Sequence, residues 1–144
     1  MPSITKQHCF NGNLSQVYQG IRSYDKYQDH IQVVNNIEVR PAAAKDSTAQ
    51  VRYEIQVIKT LFYTLDMFEQ PESKISWQLA ESNIMKKNEG YWEFTETSDN
   101  SVDATYHLDV GFRGLVPGAV TKGLTATQLP AMFEQMQALI DACR

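Results

Sequence analysis

The sequence predicts an α+β fold: a curved antiparallel sheet of six to seven strands wrapped around a long C-terminal helix, with two short helices after strand 1. Three observations predict it. Hydrophobic residues recur at helical spacing near the N-terminus, switch to alternation between residues 31 and 112, and return to a helical stripe after Pro117. The alternating stretches are joined by short turns and not by crossover helices, so consecutive strands pair antiparallel. A chain of 144 residues suffices for a single domain, residues 1–144, with its own core and no disulfide or metal staple.

Ser3 to Phe10 has mixed polarity and reads as an edge strand. Asn11-Gly12-Asn13 is a turn, and the Asn13 side chain is suited to cap a helix by accepting from first-turn N–H groups. Leu14, Val17, Tyr18 and Ile21 follow at helical spacing, and Tyr24 and Tyr27 share a face of a second short helical turn, Ser23 to His30. Ile31 to Pro41 is a strand carrying Val33, Val34, Ile37 and Val39. Val51, Tyr53, Ile55 and Val57 alternate with Arg52, Glu54 and Gln56, the pattern of a half-buried strand. Leu61 to Phe68 is the next strand, and Gln70-Pro71-Glu72 turns the chain. Ile75, Trp77 and Leu79 alternate with Ser76, Gln78 and Ala80. Asn88-Glu89-Gly90 reads as a turn by composition, ahead of a strand from Tyr91 to Thr97. After a hairpin turn at Ser98-Asp99-Asn100, Val102, Ala104, Tyr106, Leu108, Val110 and Phe112 point one way and Asp103, Thr105, His107 and Asp109 the other. Pro117 suits the start of a helix, and Val116, Val120, Leu124, Met132, Phe133, Met136, Leu139 and Ile140 form one apolar stripe. Pro130 lies inside that stripe and predicts a kink or a break.

The formal net charge of −4 argues against an anionic partner, because phosphate binding needs a basic face, so no nucleic acid is expected. No apolar run reaches the length of a membrane-spanning helix, and the N-terminus lacks the basic and apolar regions of a secretory signal, which predicts a cytoplasmic protein. Cys9 and Cys143 stand far apart without metal-ligand spacing and read as free, mostly buried thiols, and neither a metal nor a cofactor is predicted. No phosphate loop, dinucleotide fingerprint or nucleophile elbow occurs.

Three stretches resemble the START-like superfamily of the helix-grip fold, which holds lipid-transfer proteins, polyketide cyclases and dehydrases, and coenzyme Q-binding proteins. They are Tyr24-Asp25-Lys26-Tyr27 with His30 and Val33-Val34; Trp77-Gln78-Leu79 through Gly90-Tyr91-Trp92-Glu93-Phe94; and Thr105-Tyr106 through Leu115-Val116-Pro117 with Leu129-Pro130. The resemblance spans nearly the whole chain and implies an internal apolar pocket between sheet and helix. Where the family usually carries a proline and an apolar or aromatic triplet, Gln28-Asp29-His30 stand here, which implies an altered pocket mouth.

Strand parity then assigns the pocket wall to Tyr53, Ile55, Trp77, Leu79, Trp92, Phe94, Tyr106, Leu108 and Val110, closed from the helix by Leu124, Phe133 and Met136. Tyr27, His30 and Arg113 are placed at its mouth. No catalytic residue is assigned. His107 and Asp109 share a side of one strand, but it is the side opposite Tyr106 and Leu108. His8 and Cys9 are consecutive in a strand and point to opposite faces. The leading expectation is non-catalytic binding of a hydrophobic small molecule, lipid-like or polycyclic, for transport or sequestration. A polyketide cyclase or dehydratase using the same pocket is one alternative, and an interaction module with a vestigial pocket is the other.

Overall fold

A computed structural model of the chain describes residues 3–57 and 59–143. Among these residues the strands β1 (Ser3–Asn11), β2 (Val34–Arg40), β3 (Ala49–Val57), β4 (Lys59–Gln70), β5 (Lys74–Ser82), β6 (Met85–Ser98) and β7 (Ser101–Phe112) form one antiparallel sheet. Its order is β1-β7-β6-β5-β4-β3-β2. Strands β2 to β7 are a meander of consecutive hairpins, while β1 returns to pair with β7, from Ser3 opposite Asp109 to Asn11 opposite Ser101.

The connection from β1 to β2 therefore runs from one sheet edge to the other, and it is helical. Helix α1 (Leu14–Ile21) opens on a reciprocal cap: Asn13 Oδ1 accepts from the Gln16 N–H at 2.8 Å and Gln16 Oε1 accepts from the Asn13 N–H at 2.9 Å. A 3-10 turn (Tyr24–Lys26) and the single-turn α2 (Tyr27–His30) follow. Ile31 and Val33 lie in the turn after α2, where the Ile31 N–H returns to the Tyr27 carbonyl, so the strand expected from Ile31 begins at Val34.

The terminal segment is broken, as Pro130 predicts, though the break precedes the proline. Pro117 caps α3 (Gly118–Lys122), a π-helical turn (Gly123–Thr127) comes next, and α4 (Leu129–Ala142) carries Pro130 in its first turn. A proline is tolerated there because its missing N–H would have no intrahelical partner. The Gln128 N–H reaches back to the Gly123 carbonyl at 3.1 Å, the wide spacing that makes the turn π. Leu129, Phe133, Met136, Leu139 and Ile140 are buried and hold α4 against α1 and the inner face of the sheet.

Two local expectations are corrected. Asn88-Glu89-Gly90 is not a turn but the middle of β6, where Gly90 pairs with Leu108 and the turn lies earlier, near Asn83. A Cβ on Gly90 would sit 2.0 Å from the His107 carbonyl oxygen and 2.8 Å from the Trp77 ring, so this glycine permits close packing and does not break the strand. The thiols are free, but Cys9 is exposed on the outer face and Cys143 is half-buried.

Candidate functional site

A cavity of about 130 Å³ lies between the inner face of the sheet and the helical layer. Strands β3 to β7 supply its floor through inward-pointing side chains, Tyr53 and Ile55 from β3, Tyr63, Leu65 and Met67 from β4, Ile75 and Trp77 from β5, Trp92 from β6, and Tyr106, Leu108 and Val110 from β7. Tyr24, Tyr27, Ile31, Val33 and Val34 wall one side, and Gly123, Leu124, Gln128, Leu129, Met132 and Met136 form the roof. The π turn presses close on the sheet edge. A Cβ on Gly123 would come within 2.3 Å of Val57 Cγ1, so glycine is what allows the roof to close there.

Of the residues placed on the wall by parity, Tyr53, Ile55, Trp77, Trp92, Tyr106, Leu108, Val110, Leu124 and Met136 surround this space. Leu79, Phe94 and Phe133 do not. Leu79 lies past the register shift where β4 meets β5, and is half-buried. Phe94 is buried further along β6, edge-on to Tyr18 at 5.9 Å. Phe133 fills the core beside the cavity, stacked on His8 at 4.9 Å and edge-on to Trp92 and Tyr106. Tyr27, expected at the mouth, is a buried residue of the cavity lining. His30 Nδ1 lies 3.2 Å from the Lys26 carbonyl, outside the cavity lining, and Arg113 is exposed with its N–H on the Ile84 carbonyl.

Parity had the means to include Val57, Leu65, Met67 and Ile75, none of which was assigned. Val57, Leu65 and Met67 continue the inward rows of β3 and β4, and Val57 is the residue that Gly123 packs on. Asn88 carried no such signal. It is a polar residue at 5% exposure whose Oδ1 accepts from Trp77 Nε1–H at 3.1 Å, and it takes a place in the lining.

The polar groups of the site are, among the described residues, five tyrosine hydroxyls and the amides of Asn88 and Gln128. The Tyr24 hydroxyl donates to Glu69 Oε2 at 2.6 Å, and Glu69 Oε1 accepts from Arg22 Nε at 2.7 Å, which ties the helical connection to the end of β4. The Tyr27 hydroxyl donates to the Ile21 carbonyl. Among the described residues, the hydroxyls of Tyr53, Tyr63 and Tyr106 have no hydrogen-bond partner. Burial raises the pKa of all five phenols, so each remains a neutral donor at ordinary pH. Among the described residues, no Asp, Glu, Lys, Arg, His or Cys contributes to the lining.

On the opposite face of the sheet His107 Nε2 lies 3.2 Å from Asp109 Oδ2, and Thr5 Oγ1 lies 2.7 Å from His107 Nδ1. Among the described residues no cluster of three or more His, Cys, Asp or Glu is placed to hold a metal ion, and no helix is long and apolar enough to cross a membrane.

No family model and no curated protein matches the sequence. Solved structures match it in shape. A START superfamily protein from Mycobacterium smegmatis superposes with a TM-score of 0.83 at 13% identity, covering 99% of each chain. A conserved protein from Geobacillus kaustophilus gives a TM-score of 0.76 at 13% identity, over 98% of this chain and 96% of that one. The Zhui aromatase/cyclase from a Streptomyces species gives 0.70 at 15% identity, over 99% and 90%. At these identities what is shared is the fold, and the chain has the START-like helix-grip fold.

Proposed function

We propose that this chain binds a hydrophobic small molecule in the cavity between sheet and α4, for transport or sequestration. The observation that carries the reading is an internal space lined by aliphatic and aromatic side chains with a few neutral polar groups, the usual make-up of a small-molecule site. Aromatase/cyclases are among the proteins that share the fold. An enzyme of that kind in the same pocket would need an acid–base pair aimed at the ligand. The ionisable side chains in this lining are phenols whose pKa is raised by burial, which favours binding over proton transfer.

Size narrows the ligand. A volume of about 130 Å³ is close to the ~150 Å³ cavity that takes up benzene, and well below the ~300 Å³ at which drug-sized pockets begin. A cavity of this volume suits one ring. A lipid-like or polycyclic guest needs more room than this, and the π turn in the roof, a rare form frequent at functional sites, is the part of the roof that departs from regular α-helix.

Native mass spectrometry of the purified protein tests the proposal, with a co-purified apolar molecule as the expected result. Trp77 and Trp92 line the cavity, so titration with small aromatic compounds should change tryptophan emission saturably. Absence of both signals would sink the reading.

A further inference from the structure

We propose that Tyr53, Tyr63 and Tyr106 form a three-donor site that selects neutral single-ring ligands bearing an acceptor oxygen, such as an aryl ketone or a phenol, over hydrocarbons and carboxylates of the same size. This rests on the binding reading of the same cavity and adds the chemistry of its ligand.

Five tyrosines line the space, and the protein treats them in two ways. Tyr24 and Tyr27 spend their hydroxyls on Glu69 and on the Ile21 carbonyl. Tyr53, Tyr63 and Tyr106 have no such partner among the described residues, yet all three line the cavity. Among the described residues only the Tyr18 hydroxyl is both fully buried and unpaired, so the oxygens of these three tyrosines border space that water or a guest can enter. Phenylalanine would line the same space without a donor, so the three oxygens offer hydrogen bonds to whatever occupies it, a guest or water.

Their placement supports a common target. Tyr53 and Tyr63 are register partners on β3 and β4 and their rings stack at 5.0 Å with 18° between planes, so both side chains rise from the sheet in one direction. Tyr106 reaches the same cavity from β7, flanked by Trp77 at 5.9 Å and Trp92 at 4.7 Å. A negative charge on Tyr106 would raise the pKa of both Tyr53 and Tyr63, as expected of oxygens facing one space of low polarity.

The lining also excludes. Among the described residues it holds no Lys, Arg or His, so a ligand carboxylate would be desolvated there without a cation from them to pair with it. A ketone or phenol oxygen asks only for neutral donors, and the cavity volume sets the limit of one ring.

The experiment compares acetophenone, ethylbenzene and benzoate as probes by tryptophan emission and calorimetry at neutral pH. Wild-type protein should bind acetophenone about tenfold more tightly than ethylbenzene, the factor one hydrogen bond supplies, and benzoate most weakly. In the Y53F/Y63F/Y106F triple variant the preference for the ketone should vanish, with the fold retained or stabilised. Should the triple variant fail to fold, Y53F and Y106F alone must each reduce the preference. Equal binding of ketone and hydrocarbon by wild type would overturn the ligand class while leaving hydrophobic binding intact, and tight benzoate binding would do the same. An undiminished ketone preference in the phenylalanine variants would overturn the tyrosine assignment. Failure of every probe to bind would overturn this proposal and the binding reading together.

Discussion

Trp77 on β5 donates its indole N–H to Oδ1 of Asn88 on β6, 3.1 Å away, and both side chains face the cavity. The pairing explains a buried asparagine in an apolar wall. A tryptophan at 7% exposure needs an acceptor for its one polar atom, and Asn88, at 5%, supplies it two residues from the Gly90 that pairs with Trp77. Replacing Asn88 with Leu leaves the indole N–H unsatisfied. The expected loss is about 1–3 kcal/mol in urea melts, together with altered tryptophan emission. An unchanged midpoint would mean that water already serves as the acceptor.

This same stretch marks where the sequence stopped being legible. Asn88 and Gly90 look like local turn residues, and a reading confined to neighbours along the chain takes them so. Both are there for partners far away: Asn88 for the indole of Trp77, Gly90 for the His107 carbonyl and the Trp77 ring. The alternation of Val51 to Val57 and of Val102 to Val110, by contrast, reports its own burial, because one face of each strand meets the core and the other meets water. That is why the sheet could be read in advance; of the twelve residues expected on the pocket wall, nine border the cavity. Parity says which face a side chain is on, but not how far along the strand the cavity extends. Leu79 and Phe94 point inward and miss it for that reason. Unpartnered hydroxyls leave no trace in a one-dimensional pattern either.

Phe133 is the residue through which α4 grips the sheet. Its ring contacts His8, Trp92 and Tyr106, from three neighbouring strands, at 4.9 to 6.1 Å between centroids. Truncation to Ala should cost about 3–5 kcal/mol in denaturant melts. Because Trp92 and Tyr106 also line the cavity, the hole should extend it and let a larger ring bind. A loss below about 1 kcal/mol would show that the helix is not held there.

His8 gives the fold a dependence on acid. Its ring lies between Phe10 and Phe133, and burial lowers its pKa from 6.5, with nearby Glu134 pulling the other way. The folded state therefore keeps His8 neutral while the unfolded chain takes up a proton at 6.5. Between that value and the lower folded pKa the unfolded state holds more protons, so stability falls as pH drops through this window and the penalty levels off below it. In His8→Phe the ring stays and the titration goes. The stability of the variant relative to wild type should rise as pH falls from about 7 to about 5, measured by urea midpoints. The opposite trend would mean that the protonated ring is the better-accommodated form.

His107 and Asp109 are the pair most easily mistaken for catalytic groups. With Thr5 Oγ1 at 2.7 Å from Nδ1 and Asp109 Oδ2 at 3.2 Å from Nε2, they form a hydroxyl–imidazole–carboxylate line. The line lies on the outer face of the sheet, packed under the Tyr91 ring at 5.2 Å, with Lys87 Nζ 4.0 Å from the carboxylate. Tyr106 and Leu108, alternating with them on β7, line the cavity on the other side. Each of the two polar side chains is 25% exposed, so water screens the pair, and such pairs contribute about 0–1 kcal/mol. Replacing both with Asn should shift stability within that range and leave small-molecule binding in the cavity within about twofold of wild type. A loss of about a hundredfold would require the faces of β7 to be exchanged, since a slip of one residue inverts every side chain on a strand. It would then carry Tyr106 out of the cavity and His107 into it, and the tyrosine site would fall with the same measurement. The continuous pairing of β7 with both β1 and β6, where Tyr106 stands opposite Lys6 and Trp92, is what such a slip would have to break.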